Sequence, residues 1–471
     1  MKPTTVAQPQ EENPLRPAYW LGGVDPRPLA LFRIVFGLVL LFDLASRAGD
    51  LQDWFGSQGV LPLAAGNPPV SLFSLSDQPA AIWALFALGT LTTLSFTLGF
   101  HTRWSGFAAW LLFLSFFRRN NLCDDGGDCI ARVLLLFSCF ADLGACWSLD
   151  ERAGRTSAAS VPALPLRLLQ LIIAAFYFAV ARNKLLGGWG TGNLLYQTLQ
   201  LPGFARPSAS LLLSHPSLCL LLNHATYVTE LAIPVFAFLP WRTRQARIAC
   251  LATSIGLQAG IALFMKPGIF QPVMIAAALL WVPPGWLERL PGRKPQLAEA
   301  PVSLPRKAVA GLAAVLTLLV ISYPVMARRL PLWIGNALAA AGSALPVDLF
   351  SRPLPVFNWS ASGVLSDGRS VDVLEVARPE LKAGPGWFFS RWIKFGYKGD
   401  DEIRWPALSA YLCRRWKTLT PAGAPLQSLV VRREQRSPTL PGQEPGPFET
   451  DKVVRTSCSP EALEPSSREA P

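Results

Sequence analysis

The chain has 471 residues, of which 51% are hydrophobic and only 16% charged. Its apolar residues fall in long runs, which excludes an ordinary soluble domain. The net charge of +12 is spread over loops and the C-terminal part, and reads as membrane topology and anionic headgroups, not nucleic acid. Nine stretches are candidate membrane helices, near 29–46, 80–100, 104–117, 129–147, 164–184, 218–239, 246–265, 268–283 and 307–326. The third and eighth are short for a span, so tilt, a thin bilayer or a re-entrant segment is expected there. The predicted fold is an all-α polytopic membrane bundle of about eight to nine transmembrane helices with a small C-terminal α+β extramembrane domain.

Residues 1–28 are polar, and no small-residue cleavage site follows the first apolar run, so the first helix itself is expected to direct insertion. The transmembrane domain then occupies 29–285, a loop and last helix 286–330, and a soluble α+β domain 331–436. Residues 437–471, rich in Pro, Glu and Ser, are expected to be disordered. Lys and Arg in short loops place the N-terminus inside and the C-terminal domain outside the cytoplasm. Arg328 and Arg329 count against this, and a change of one in the span count reverses it.

Helix one carries Arg33 and Asp43 within its apolar run. Charges at that depth are expensive and face a partner or a wet cavity, although Arg33, a turn from the inner end, is also placed to snorkel. The loop DLQDWFGSQGVLP is expected to pack as a lid. Between helices three and four lies FFRRNNLCDDGGDCIARVLLLF, where Asn120 ends one helix and Asp128 is placed to cap the next. Its acidic cluster lacks the alternating ligands and closing Glu of an EF-hand. If the loop is outside, Cys123 and Cys129 are placed to pair, with each other or elsewhere. Eight cysteines without a CxxC pair and three histidines without metal spacing give no expected metal site.

Helix five, QLIIAAFYFAVARNKLLGGW, ends in Arg182, Asn183 and Lys184, breaks at Gly187-Gly188, and leads to Trp189. An amine at the mouth of a membrane helix either snorkels to headgroups or works with a pKa set by burial. Gly190 and Gly192 let the backbone turn tightly and approach a ligand or another helix. Helix six holds Glu230, a second buried carboxylate for which a structural hydrogen bond between helices is an equal reading. Helix seven holds Gln258, and the turn FMKPGIFQPVM sets Lys266 beside a Pro-Gly break. In the soluble part, Ser366-Asp367-Gly368-Arg369 reads as a hairpin turn. IRWPALSAYLCRRWKTL is an amphipathic helix with Trp405, Leu408, Leu412 and Trp416 on one face, and QSLVVRRE is a strand.

Together these segments resemble a known family. RPLALFRIVFGLVLLFD with QGVLP, then RRNNLCDDGGDCIARVLLLFSCFADLGACWSLD, then LLQLIIAAFYFAVARNKLLGGWGTGNLLY resemble the HTTM domain. This "horizontally transferred transmembrane domain" is related to vitamin K-dependent gamma-carboxylase. TELAIPVF and PGIFQPVMIAAALLWVP resemble its later helices, and the likeness covers about residues 25–285. The soluble tail, with DGRSVDVLE, RWIKF and AYLCRRW, resembles the C-terminal module of bacterial members, which implies a bacterial cytoplasmic membrane.

The resemblance implies that Lys184 is a base that deprotonates a reduced naphthoquinone. Oxygen then converts the quinone to an epoxide through a strong alkoxide base, which takes a proton from a Glu of a peptide or protein before carbon dioxide adds. Tyr177, Trp189, Gly192, Glu230, Gln258 and Asn120 are the expected pocket, while Arg33, Asp43 and Asp128 are structural charges. A free lysine has a pKa of about 10.4 and becomes a base near neutral pH only through desolvation or nearby cations; Arg182 is the cation nearest in sequence. One departure is Gln258, where members often carry His, since an amide cannot exchange a proton near neutral pH. The competing reading is a non-catalytic membrane protein that binds a lipid or a protein partner, with Lys184 as an anchor. A transporter is disfavoured, because no repeat and no paired broken helices are seen.

Overall fold

Unbroken apolar runs have no way to satisfy their backbone in lipid except as helices, and each of the nine stretches carries one. In the computed structural model of the protein, residues 13–61, 70–156, 160–290, 304–326, 335–338, 348–379, 390–397 and 404–459 are described. The helices are α1 (Arg27–Ala48), α2 (Pro79–Leu98), α3 (Thr102–Arg119), α4 (Gly126–Ser138) and α5 (Ala163–Leu186). They continue as α6 (Pro216–Ala237), α7 (Thr243–Phe264), α8 (Phe270–Ala278) and α9 (Leu304–Met326). Among the described residues five of them, α1, α2, α5, α6 and α7, are long and apolar enough to cross a membrane. Two shorter apolar stretches, Phe270–Trp281 and Gly311–Ser322, accompany them. Leu88, Leu91, Phe107, Leu221, Val235 and Leu263 are exposed on these helices and α3, a surface suited to lipid and not to water. Arg328 and Arg329 lie outside the described residues.

The fourth stretch is a partial correction. Its helix stops at Ser138, and residues 139–147 are turns despite their apolar composition. The cause lies in α1. Arg33 is fully buried and donates to the carbonyls of Leu143 at 2.6 Å, Trp147 at 2.5 Å and Cys146 at 3.3 Å. A guanidinium offers five donors in a fixed fork, and here it gathers carbonyls that a helix would have used internally. Arg33 does not snorkel.

Within the bundle α2 packs on α1 and α3, and α6 on α5 and α7. α8 sits inside, against α1, α4 and α7, with Val273, Met274, Ala276 and Ala277 fully buried. Close approach is set by two glycines. A Cβ on Gly127 would lie 2.4 Å from the Phe270 nitrogen, and Gly268, at φ +73°, has no room for one against Asp125. Asp125, not Asp128, is the N-cap of α4. The two form a capping box, each carboxylate accepting the other's backbone N–H at 2.9 Å.

The C-terminal domain is an antiparallel sheet of β1 (Val356–Leu365), β2 (Ser370–Asp372), β3 (Leu426–Arg436) and β4 (Glu449–Ser457), in the order β2-β1-β3-β4. β1 and β2 join through the predicted turn, with Gly368 at φ +82°. A short helix, Val373–Ala377, and two longer ones, α10 (Arg391–Tyr397) and α11 (Arg404–Leu419), complete it. Trp405, Leu408, Leu412 and Trp416 of α11 are all buried, as the helical period required. β4 is a correction, since it falls in the segment expected to be disordered. It pairs with β3 and is followed by Cys458, which is disulfide-bonded to Cys413 of α11. Cys123 and Cys129, placed to pair with each other or elsewhere, form no disulfide among the described residues. The domain docks on the bundle through Trp392, whose ring centroid lies 4.2 Å from that of Trp54, and through ion pairs of Arg391 with Asp43 and Arg378 with Asp53. The loop expected to act as a lid, carrying Trp54, is thus buried beneath this domain.

Candidate functional site

The end of α5 is where membrane and extramembrane parts meet. Gly187 stops the helix at a point where a Cβ would fall 1.8 Å from the Ser351 carbonyl oxygen, and Gly188 follows at φ +105°. Asn223 of α6 then holds the next loop, donating to the carbonyls of Trp189 at 2.8 Å and Gly192 at 3.2 Å. The Trp189 indole N–H donates to the Phe350 carbonyl at 2.8 Å. These contacts turn the Trp189 ring over Lys184, whose Nζ lies 4.7 Å from its centroid, within cation–π range.

Lys184 does not reach outward. Its side chain is only 7% exposed and forms an ion pair with Glu230, 5% exposed, on α6. Pro234, one turn beyond Glu230, lies inside α6. Lacking an N–H, it frees the Glu230 carbonyl from the helical ladder and loosens the helix at this carboxylate. Arg182 faces away, exposed and bonded to Asn183, so the cation that sequence reasoning set beside Lys184 is not there.

Lys184 and Glu230 line a cavity of about 820 Å³, counting its open mouth. Five residues expected in one pocket meet in it: Tyr177, Lys184, Trp189, Glu230 and Gln258. Gln258 donates through Nε2 to the Tyr177 hydroxyl at 3.0 Å. Glu230 Oε2 and Gln258 Oε1 are buried with no hydrogen-bond partner among the described residues. Phe176, Phe204, Phe270 and Phe350 add aromatic walls. Two expected pocket residues lie elsewhere. Asn120 caps the short turn Asn121–Cys123 and donates to the Trp54 carbonyl, and Gly192 serves the Trp189 loop through its backbone.

Sequence reasoning missed the rest of the wall. Leu349, Phe350 and Lys394 come from the part that follows the bundle, and Asp125 from the N-cap of α4. Burial first, and then the charge of Asp128, raise the Asp125 carboxyl above the usual carboxylate range. Burial pushes its capping partner Asp128 the same way, but Arg47 and then Arg391 outweigh it and pull that carboxyl below the usual range. Asp43 and Asp128, the expected structural charges, are buried and share Arg47, and Asp43 also holds Arg391. Lys266, beside its Pro-Gly turn, is buried, and desolvation first and Arg206 second lower its pKa.

A family model matches this part of the chain. The HTTM domain model covers residues 22–286, more than half of the sequence. The chain belongs to the HTTM family. No curated protein and no solved structure matches it. The HTTM domain thus supplies Lys184, Glu230, Gln258 and the capping box, while Leu349, Phe350 and Lys394 lie beyond the matched region.

Proposed function

We propose that this HTTM protein is a membrane enzyme that works on a reduced naphthoquinone-class ring in the cavity, with Lys184 as base. The observation that carries the reading is the amine itself, buried among aromatic walls and paired with a carboxylate able to take its proton. The cavity suits such a ring. Phe176, Trp189, Phe204, Phe270 and Phe350 offer flat apolar faces, and Tyr177, Glu230 and Gln258 offer hydrogen bonds to ring oxygens. When bound, the reduced ring supplies oxygen-driven oxidation that yields a base strong enough for a carbon acid.

The chain's own part is proton handling. To accept a proton, Lys184 must first pass one to Glu230, and away from water the charged and neutral forms of such a pair lie closer in energy. Once Lys184 is an ammonium, the Trp189 face stabilises it. The aromatic walls exclude water that would quench a strong base. By resemblance the carbon acid is a Glu side chain of a peptide or protein. Placement in a bacterial cytoplasmic membrane, with the N-terminus inside and the C-terminal domain outside, is supported by Cys413–Cys458, a bond of oxidising compartments. Impermeant thiol labelling of intact cells before and after reduction checks it.

A second reading, non-catalytic binding of a lipid or partner, is favoured by the same ion pair, since two buried opposite charges also serve structure alone. The two separate in nanodiscs supplied with reduced naphthoquinone and oxygen. Epoxide formed by wild type and lost in Lys184→Ala supports the enzyme; no epoxide from folded wild type across several quinols supports the binding protein.

A further inference from the structure

A buried cation is stable only when something offsets its charge. Arg27, Arg47, Arg132 and Lys184 each hold a carboxylate, and Arg33 and Arg119 gather carbonyls. Lys266 is the exception. It is 3% exposed, yet its amine makes no ion pair and no hydrogen bond among the described residues. Its backbone shows how it is kept there. The Lys266 N–H donates to the Phe204 carbonyl at 2.8 Å and the Arg206 N–H to the Phe264 carbonyl at 2.9 Å, on either side of a bridge between Ala205 and Met265. Side chains alternate across such a pairing, so Lys266 and Arg206 share one face and Met265 takes the other. Met265 and Pro267 line the cavity, and Lys266 between them is not part of its wall. Arg206 is held in turn by its Nε–H, which donates to the Met265 carbonyl at 3.1 Å. Burial first and Arg206 second lower the Lys266 pKa, as befits an amine set beside a cation and away from water.

We propose that Lys266, with Arg206 beside it, forms a second site, outside the cavity, for a small planar oxyanion of single charge: bicarbonate or a short carboxylate. One oxygen of the ion accepts from the Lys266 amine, and the Arg206 guanidinium supplies the second positive charge that holds it. A dianion such as phosphate is disfavoured, because stripping water from two charges costs more than from one. Lys266, at 3% exposure, offers no open surface to a peptide or a lipid headgroup, so the ion is a free one. Once bound, it replaces repulsion between two neighbouring cations by attraction to both. It thereby stiffens the pairing that carries Phe204 and Met265 into the cavity wall. The site stands whatever the cavity itself binds.

The test is sealed equilibrium dialysis of radiolabelled acetate and of radiolabelled bicarbonate against the full chain in nanodiscs, at fixed pH and ionic strength with chloride as the balancing ion. Saturable binding to wild type is expected, tighter for bicarbonate if the ion is inorganic and tighter for acetate if it is an organic carboxylate. Lys266→Met is expected to weaken that binding at least about tenfold, the loss of one charge-assisted hydrogen bond. In chloride alone the same variant is expected to melt no lower than wild type, because an apolar chain of similar length replaces an uncompensated buried charge. Lys266→Gln repeats both measurements should Met disturb the fold. No saturable binding by folded wild type overturns the site. Binding that survives in both variants and is lost in Lys184→Met places the ion in the cavity and overturns it as well. Melting well below wild type in both variants shows the amine to be paired already, with the same consequence. Displacement of acetate by phosphate at far lower concentration overturns the single-charge assignment.

Discussion

Two buried ionic clusters lie close together in this molecule and are finished differently. Where α1, α4 and the C-terminal domain meet, Asp43 gives one oxygen to Arg47 and the other to Arg391, and Asp128 gives one to Arg47 and the other to the Asp125 backbone. Every carboxylate oxygen of Asp43 and Asp128 is used, and the atom left over is on the donor side, Arg391 Nε, which has no partner among the described residues. In the cavity Glu230 gives one oxygen to Lys184, and the other meets nothing among the described residues. A carboxylate bonded at both oxygens is fixed in place, and one left half-bonded at the wall of a cavity costs stability that a ligand there recovers. The first cluster is therefore assigned to structure and the second to function.

The largest effect that tests this contrast comes from breaking the first cluster. Asp43→Ala leaves Arg391 without its carboxylate and Arg47 with Asp128 alone, and a loss on the order of 3–5 kcal/mol is expected. Thermal unfolding in detergent should show it, together with loosened docking of α10 seen as faster backbone exchange near Trp392. A variant as stable as wild type would remove the structural assignment.

The cavity pair should respond less. Lys184→Met is expected to cost roughly 1–3 kcal/mol, because a lone buried carboxyl can take up a proton where a guanidinium cannot lose one. Lys184→Met with Glu230→Leu should recover that stability while remaining without turnover, since apolar replacement of a buried pair is often neutral. Recovery of turnover in the double variant would contradict the assignment.

The smallest effect lies between the clusters, at Asp125. Its carboxyl is raised by burial, so the stability it contributes belongs to the protonated form and is lost as pH rises through the folded value. Asp125→Asn keeps the N-cap and removes the titration. Its melting temperature should match wild type at pH 5 and exceed it by a few degrees at pH 9; a constant offset at both would show that the carboxyl does not titrate there.

What could be read from the sequence follows the range of the interaction involved. The helices were legible because some twenty apolar residues in a row are a local signal, and α11 because its buried face repeats every turn. Residues 139–147 were misread as helix because Arg33, which gathers their carbonyls, is more than a hundred positions away. β4 was missed because the Pro- and Glu-rich run before it dominates the composition, while the pairing with β3 and the bond from Cys413 to Cys458 lie outside any local window. At the site, Lys184, Tyr177, Trp189, Glu230 and Gln258 were each legible, the family resemblance drawing attention to Lys184. Their pairing was not, since Lys184 and Glu230 are on different helices. Lys394 and Phe350 carried no sign of their place in the wall, because it depends on how the C-terminal domain docks. Asp125 and Asp128 were exchanged as caps, since the helix begins at Gly126, earlier than the apolar run that marked it, and Asp128 is its third residue.

The most direct test of the central claim is Lys184→Arg, comparing epoxide formation and melting temperature with wild type. Arginine keeps the positive charge beside Glu230 and beneath Trp189 but cannot act as a neutral base. The account predicts a melting temperature within a few degrees of wild type and turnover reduced by more than about a hundredfold. Turnover retained in a folded Lys184→Arg protein would contradict it and return Lys184 to the role of a buried structural charge.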